Sequence, residues 1–375
     1  MGLNERQGGE NAAGGGPGGQ RGLEEQVIRA GLCTGCGACV SICPYQAMYR
    51  DKTVTLHPCD LSRGRCYDFC PQTPCDREAL QRRLADGATV TAELGAARGF
   101  FITRAADATV RNRAQHGGTV TALVALALRE GLIDAAVLAG EGEDLLPRSV
   151  TVHDPDGVAR SSGSRFVSAP TLAEFNRAVR TDCRQIGVVA TPCQALGLAK
   201  MRNLPAAAVD SGIEKLGLVV GLFCGWALSW RDLRAVVKAK TELSWVTGMD
   251  IPPSRYHTLE VFTAEGTIPV SLAEVTPCVR PACRSCGDMT AEFSDLSVGS
   301  ARLPEGWEEA RGWNQVIVRT RRGGDLLDLA RSRGVLEFRE VPAGNWEKLT
   351  DASRAKKQAA RQRADRGGAA DGRNG

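Results

Sequence analysis

Four cysteines near the N-terminus have a spacing that is typical of iron–sulfur proteins. They follow the pattern C-x2-C-x2-C-x3-C-P, which comprises Cys33, Cys36, Cys39, Cys43 and Pro44. In this pattern the first three thiolates bind one [4Fe–4S] cluster and the fourth binds a second cluster. A structural zinc ion also takes four thiolates, but the third evenly spaced cysteine and the Cys-Pro ending favour iron.

A second group of cysteines follows with an altered spacing. Asp60 and Arg63 stand where the usual spacing has the first two cysteines of this group. Crossed ligation between the two groups predicts one complete set: Cys33, Cys36, Cys39 and Cys70. The remaining set is Cys43, Cys59 and Cys66, for which Cys75 is the candidate fourth member. We therefore expect one complete ferredoxin-type cluster and a second cluster whose ligation stays open.

More cysteines lie farther along the chain, next to predicted strands. Cys193 follows the apolar stretch IGVVA, Cys224 ends the stretch LGLVVGLF, and Cys278 precedes a C-x2-C pair. The carboxyl ends of neighbouring strands in an open α/β sheet gather at one edge, where ligands bind. Four cysteines can therefore meet in one cluster: Cys193, Cys224, Cys283 and Cys286. Buried structural cysteine is the alternative that the spacing alone leaves open.

Two glycine- and serine-rich stretches are candidate phosphate-binding loops. Residues 115–119 precede a predicted helix, whose free N–H groups and dipole favour an anion. Residues 161–166 offer hydroxyl groups and a guanidinium. Neither stretch is a Walker or Rossmann signature, so each is equally well an ordinary turn. His116 and the other three histidines have no metal-ligand spacing.

The elements that must position these residues form a small module and a larger domain. Residues 23–80 predict a ferredoxin-like α+β module. Residues 98–345 predict an α/β core, because strands alternate with helices, with an antiparallel hairpin insertion that turns at Glu265-Gly266. Residues 1–22 are Gly-rich and residues 352–375 are basic, and we expect both ends to be disordered.

Two helices inside the core have local signals. Apolar residues at helical spacing predict a helix over Thr119–Arg129. The pattern Thr171-Leu-Ala-Glu174 predicts a capping box at the start of another helix.

Composition narrows the function classes. The chain has 375 residues, 14 cysteines and a net charge of +4. It has no basic stretch with interleaved aromatic residues, which argues against a nucleic-acid partner. The N-terminus lacks the apolar core of a secretory signal, and the longest apolar run, Leu216–Trp230, is too short to span a bilayer. We therefore expect a cytoplasmic protein whose clustered cysteines bind metal rather than form disulfides.

Taken in order, several motifs resemble the family of coenzyme F420 hydrogenase/dehydrogenase beta subunits over about residues 98–345. They are Ala114-Gln-His-Gly-Gly-Thr-Val-Thr-Ala-Leu123, Glu130-Gly-Leu-Ile-Asp134, Ser164-Arg-Phe166, Thr191-Pro-Cys-Gln194, Cys283-Arg-Ser-Cys286 and Ser294-Asp-Leu-Ser-Val-Gly299. A ferredoxin-type module is a frequent companion of that core. The resemblance implies that the core binds FAD and one [4Fe–4S] cluster and exchanges hydride with the deazaflavin coenzyme F420.

The family's functional residues carry over onto matching positions. The implied core cluster ligands are Cys193, Cys224, Cys283 and Cys286. The implied flavin-binding residues are Gly117, Gly118, Thr119, Val120, Ser164, Arg165, Phe166, Thr191 and Gln194. We therefore expect FAD and two or three [4Fe–4S] clusters. The flavin is needed between the clusters and coenzyme F420, because clusters carry single electrons and a deazaflavin accepts only hydride.

Other activities stay open at this point. Proteins that share this core reduce other substrates, including chlorophyll-type pigments, so another organic substrate or a ferredoxin is the first alternative. A subunit that only transfers electrons is the second. Both alternatives, like the deazaflavin-dependent activity, imply a redox partner, namely a hydrogenase, a dehydrogenase or a ferredoxin.

Overall fold

The computed structural model describes residues 18–204, 211–252 and 256–371. Its strands are β1 Gln46–Tyr49, β2 Lys52–Thr55, β3 Thr89–Thr91, β4 Gly95–Ala97, β5 Gly99–Ala105, β6 Ala135–Gly140, β7 Arg148–Val152, β8 Ile186–Ala190, β9 Leu216–Leu222, β10 Val246–Asp250, β11 Thr258–Thr263, β12 Gly266–Ser271, β13 Leu296–Ser300, β14 Asn314–Val318 and β15 Leu336–Arg339. Its α-helices are α1 Gly19–Leu23, α2 Arg65–Asp68, α3 Arg77–Ala85, α4 Ala108–Arg113, α5 Thr119–Arg129, α6 Pro155–Arg160, α7 Thr171–Ala178, α8 Pro192–Arg202, α9 Trp230–Lys238, α10 Leu272–Val275, α11 Pro281–Arg284, α12 Trp307–Ala310, α13 Arg321–Ser332 and α14 Asn345–Asp371.

A mixed sheet of eight strands forms the centre, in the order β15-β5-β14-β13-β9-β8-β6-β7. Its middle strands β13, β9, β8 and β6 are parallel, and antiparallel strands flank them on both sides. β8 and β9 have the sequences IGVVA and LGLVVGL and are almost entirely buried, as parallel strands covered on both faces are. The predicted α/β core is confirmed.

Helices cover both faces of the sheet. On one face α7 and α8 pack through Leu172, Phe175 and Leu196. On the other face α5 and α13 pack through Leu123 and Leu327. The spacing-predicted helix is confirmed as α5, with the same bounds. This three-layer arrangement leaves the carboxyl ends of the four parallel strands along one edge.

The predicted hairpin insertion is also present. β11 and β12 pair antiparallel, and the chain turns at Glu265-Gly266 as expected. β10 adds a third strand, which the sequence analysis missed. The insertion packs on α9 through Leu233, Leu259 and Val270.

The N-terminal module, which contains the β1–β2 hairpin, docks directly on the core. The Asn176 Nδ2 group in α7 donates to the carbonyl oxygens of Ala38 (3.2 Å) and Val40 (2.8 Å). The Lys200 Nζ group in α8 donates to the Cys70 carbonyl at 2.6 Å and to the Thr73 hydroxyl at 2.7 Å. These buried contacts hold the cysteine loops of the module against α7 and α8.

We expected residues 1–22 to be disordered, and for residues 18–22 this expectation is wrong. Residues 18–22 enter helix α1, because Gln20 has two partners there: its side chain donates to the His57 carbonyl at 2.8 Å and accepts from the Cys59 amide at 2.5 Å. The expectation for residues 1–17 lies outside the described residues.

The expectation of a disordered C-terminal tail from residue 352 is also wrong over its described part. Residues 352–371 lie in α14, which has partners on the core, and residues 372–375 lie outside the described residues. Leu349 and Ala360 are buried, and the Ser353 hydroxyl donates to the Glu93 carbonyl at 2.6 Å. The Ala, Lys and Arg residues that dominate this segment also favour helix.

The predicted capping box at the start of α7 is wrong as well. The helix begins at Thr171, but Pro170 is its N-cap and no side chain caps it. Glu174 accepts from the Thr151 hydroxyl at 2.7 Å and pairs with Arg177 instead. The carboxylate therefore has partners that the local pattern does not reveal.

The docking contacts predict the effect of Asn176→Ala. The variant leaves the Ala38 and Val40 carbonyls buried without a donor, which costs about 1–3 kcal/mol. The amides of residues 38–40 are expected to exchange roughly ten- to a hundredfold faster in hydrogen-exchange mass spectrometry. The exposed neighbour Arg177→Ala is the control and leaves their exchange unchanged. Wild-type protection in Asn176→Ala would contradict the docking role.

Candidate functional site

A cavity of about 410 Å³ lies at the carboxyl edge of the parallel strands. The ends of β6, β8, β9 and β13 line it with Ala139, Val189, Leu222 and Val298. This is the edge at which open α/β sheets bind ligands. The volume falls in the range of ligand pockets, about 300–1,000 Å³.

The residues implied for flavin binding converge on this cavity. Those that line it are Gly118, Thr119, Val120, Ser164, Arg165, Phe166, Thr191 and Gln194. Gly117 is not among the lining residues. A Cβ atom added at Gly117 would lie 2.9 Å from both Asn314 Oδ1 and the Gly312 carbonyl, so this glycine allows close packing against the start of β14.

Arg165 gives the cavity a cationic group without an anionic partner. Its guanidinium donates to the Ser164 carbonyl at 3.3 Å and the Ser162 carbonyl at 3.5 Å. Within the described ranges, no carboxylate lies within 4.0 Å of it. Burial lowers the pKa of the Arg165 guanidinium, and the more distant Glu141 opposes that shift. A partly buried cation of this kind fits a phosphate group.

The start of α5 adds backbone donors to the same wall. The Thr119 N–H group already donates to Asn314 Oδ1 at 3.1 Å, whereas the N–H groups of Val120 and Thr121 have no partner within the helix. Gly118 has φ +77°, and a Cβ atom there would face Val110 at 3.2 Å. The backbone conformation therefore favours glycine at this position.

Cys193 lies in the first turn of α8. Thr191 and Gln194 form a capping box, in which the Thr191 amide donates to Gln194 Oε1 at 2.8 Å. Gln194 Nε2 also donates to the Ala169 carbonyl at 2.8 Å. The Thr-Pro-Cys-Gln sequence carries this signal, which sequence analysis missed. The cap holds the Cys193 thiol at the edge of the cavity.

The four core cysteines come together in the cavity wall. Cys193, Cys224, Cys283 and Cys286 all line it. Burial raises the pKa of the Cys193 thiol to about 12, and the charges of Cys283 and Cys286 add to the rise. Burial also raises the pKa of Cys224, again with contributions from the other three. Four thiols that raise one another's pKa lie close together, as the ligands of one cluster must. Binding of a cluster would release their protons.

The complete N-terminal set surrounds a space of its own. Cys33, Cys36, Cys39 and Cys70 line one small space together with Thr34 and Thr53. Burial raises the pKa of the Cys70 thiol to about 11, with a contribution from Cys33. The crossed arrangement predicted from the spacing is therefore the one that the fold brings together.

The other N-terminal cysteines form a looser group. Burial raises the pKa of the Cys66 thiol to about 11, with contributions from Cys43 and Cys59. Cys75 is exposed. Its charge opposes the lowering of the pKa that burial causes for Lys200. Cys278 is buried in the core of the insertion and donates to the Glu274 carbonyl at 3.7 Å, as a structural cysteine does.

Thr34 connects the N-terminal set with the core set. Thr34 lines both the space between the N-terminal cysteines and the cavity that contains the core cysteines. Burial raises the pKa of Cys36 well above its usual value, and the thiols of Cys193 and Cys70 raise it further. The two ligand sets are therefore direct neighbours.

The spacing of the thiols bears on the choice between zinc and iron. Tetrahedral zinc with Zn–S bonds of about 2.3 Å holds its sulfur ligands about 3.8 Å apart. In the described residues, no three His, Cys, Asp or Glu side chains are arranged to hold a single metal ion. A cubane binds each thiolate through a different iron, so its four ligands lie farther apart than those of a single zinc ion.

Comparison with known proteins agrees with this geometry. Residues 100–175 match the family model "Coenzyme F420 hydrogenase/dehydrogenase, beta subunit N-term", residues 183–343 match the corresponding C-terminus model, and residues 27–49 match a 4Fe-4S binding domain. Coenzyme F420 hydrogenase subunit beta of Methanothermobacter thermautotrophicus is 30% identical over 252 residues, which cover 66% of this chain and 86% of that protein. The chain belongs to the family of coenzyme F420 hydrogenase/dehydrogenase beta subunits.

Two further relatives of these beta subunits extend the comparison. A subunit of the F(420)H(2) dehydrogenase of Methanosarcina mazei is 29% identical, and the match covers 86% of this chain and 88% of that protein. A chain of the F420-reducing [NiFe] hydrogenase complex from Methanosarcina barkeri has a similar structure, with a TM-score of 0.68 and 26% identity. That match covers 74% of this chain and 94% of that one. In the described residues, no helix is long and apolar enough to cross a membrane.

One wall of the cavity in this beta-subunit homologue was missed by sequence reasoning. Asp250 is buried, its Oδ2 atom has no hydrogen-bond partner among the described residues, and Arg311 lies 3.5 Å from it. Burial lowers the pKa of the neighbouring His116 imidazole; the charge of Asp250 opposes this shift and that of Arg311 adds to it. Gln115 also donates to Asp250. Asp250 ends β10, the strand that sequence analysis did not find.

The cysteine sets predict the metal content. Two complete sets and one incomplete set imply about 8 to 12 irons per chain, at four irons per cluster. Iron and acid-labile sulfide are measured after anaerobic purification. Stoichiometric zinc with little iron would contradict the assignment of both complete sets.

Proposed function

We propose that this chain is an iron–sulfur flavoprotein subunit that exchanges hydride with coenzyme F420 and electrons with a partner oxidoreductase. The observation that carries the proposal is the meeting of two features in one cavity: the anion-binding wall around Arg165 and the four cysteines Cys193, Cys224, Cys283 and Cys286. The family to which the chain belongs supports the choice of coenzyme.

The residues present fit the FAD that this proposal requires. Arg165 offers a partly buried guanidinium with only carbonyl partners, and the first turn of α5 offers the amides of Val120 and Thr121. Both suit phosphate groups. When bound, a flavin converts between one-electron and hydride transfer. The apolar lining from Phe166 and Leu222 suits a ring system and excludes water from it.

A second polar group of the cavity, joined to the Ser164 loop through Gln115, is suited to the second substrate. Asp250 and His116 line the cavity, and Arg311 lies 3.5 Å from the Asp250 carboxylate. These groups can orient polar atoms of a bound coenzyme. Catalysis then depends on holding donor and acceptor in contact, so no side chain of this chain is required to titrate.

The N-terminal module supplies the route to a partner protein. The set around Cys36 and the core set around Cys193 share Thr34 in their linings, while Cys43 and Cys59 of the looser set are partly exposed. We place the exchange of electrons with a hydrogenase, a dehydrogenase or a ferredoxin at this partly exposed end.

Turnover tests the proposal directly. Reduced coenzyme F420 is added to the anaerobic protein with an artificial one-electron dye, and the absorbance of the deazaflavin is followed. We expect turnover with the deazaflavin and none with NADH or NADPH. Absence of turnover in a protein that holds flavin and clusters would shift the assignment to another organic substrate with the same core.

Arg165→Gln tests the phosphate wall. Loss of the charge removes charge-assisted bonds worth about 1.5–3 kcal/mol, so flavin binding is expected to weaken roughly ten- to a hundredfold while iron content is unchanged. Flavin retained after gel filtration is measured by absorbance. Arg160→Gln in the exposed part of α6 is the matched control. Full flavin retention by Arg165→Gln would contradict this placement.

A further inference from the structure

Helix α14 covers the loop that bears two of the core cysteines. Its Arg363 donates to the Arg284 carbonyl at 2.9 Å, and Lys357 would lie 3.5 Å from a Cβ atom added at Gly287. The C-terminus family model ends at residue 343. The helix is therefore outside the part of the chain that the family models match.

Lys356 extends from this helix into the wall of the cavity. Its Nζ group donates to the Cys224 carbonyl at 2.7 Å and to the Asp288 carbonyl at 2.9 Å. Two backbone acceptors thus hold the ammonium group beside the core cysteines. Its charge acts on the thiols themselves, since it opposes the rise in pKa that burial causes for Cys224 and Cys283.

The charge of Lys356 is not cancelled by a carboxylate. In the described part of the chain, no carboxylate oxygen lies within 4.0 Å of it, whereas the next residue, Lys357, pairs with Glu292 at 2.5 Å. The Asp288 carboxylate turns away to accept from the Thr290 and Glu292 amides at 3.0 and 3.1 Å. Lys356 therefore adds a net positive charge next to the core cysteines.

We propose that Lys356 is a fixed positive charge that raises the reduction potential of the cluster bound by Cys193, Cys224, Cys283 and Cys286. The inference rests on the proposed function, which supplies that cluster. Reduction adds one negative charge to a cluster, and net charge and hydrogen bonding around it set its potential. A cation in a partly buried site stabilises the reduced form more than the oxidised form, and more strongly than it would in water.

The test is an anaerobic redox titration followed by electron paramagnetic resonance on the full chain. The signal of the core cluster is assigned by its loss in Cys283→Ala. In Lys356→Gln, the ratio of reduced to oxidised core cluster at a fixed solution potential is expected to fall about tenfold, which is about 59 mV for one electron. Lys356→Arg retains the charge and is expected to restore most of the potential.

Lys348→Gln is the matched control, because Lys348 lies on the exposed side of the same helix, and it is expected to leave the potential unchanged. A wild-type potential in Lys356→Gln, or an equal shift in Lys348→Gln, would overturn the proposal. So would a folded Lys356→Gln protein that assembles no core cluster, since Lys356 would then be needed for assembly. If Lys356→Gln does not fold, Lys356→Met keeps the aliphatic stem and carries the same test.

A wild-type protein without any core cluster would refute the proposed function. Iron analysis distinguishes that result from an unshifted potential.

Discussion

The position of the N-terminal module depends on a buried ion pair between Arg280 and Asp51. The guanidinium lies 2.5 Å from the carboxylate, and the two side chains are 7% and 14% exposed. Arg280 also donates to the Cys33 carbonyl at 2.8 Å, and Asp51 accepts from the Trp230 amide at 2.9 Å. Removing one partner of such a pair costs about 3–5 kcal/mol, because the other charge stays buried. The pair therefore fixes the module on the loops that flank the core cysteines.

The electron-transfer function that we propose follows from this docking. With the module in place, Thr34 lines the spaces of both the N-terminal and the core cysteines, so the cysteine sets follow one another from the partly exposed end of the module to the cavity. Two lysines accompany that series, the buried Lys200 at the Cys70 carbonyl and the partly buried Lys356 at the Cys224 carbonyl. Cations so placed favour added negative charge on nearby groups.

The sequence predicts well the parts of the site that depend on local spacing or on sheet topology. The crossed set around Cys36 follows from the ferredoxin spacing, and the convergence of Cys193 and Cys224 follows from strands that end at one edge. The docking of the module does not follow, because Asn176, Lys200 and Arg280 become its partners only through tertiary contacts. Helix α14 was missed for a similar reason, since a basic segment with few large apolar residues gives no strong periodicity. The flavin-binding role of the lining residues stays a prediction.

The most direct test of the account is the path by which the N-terminal clusters are reduced. Reduced coenzyme F420 is mixed with anaerobic protein, and the signals of the N-terminal clusters are followed by freeze-quench electron paramagnetic resonance. We predict that they develop in the wild type. In a Cys283→Ala variant that retains its flavin, they are expected to stay absent over the same time, because the core cluster connects the cavity to the module. Reduction of the N-terminal clusters at the wild-type rate in that variant would contradict the account.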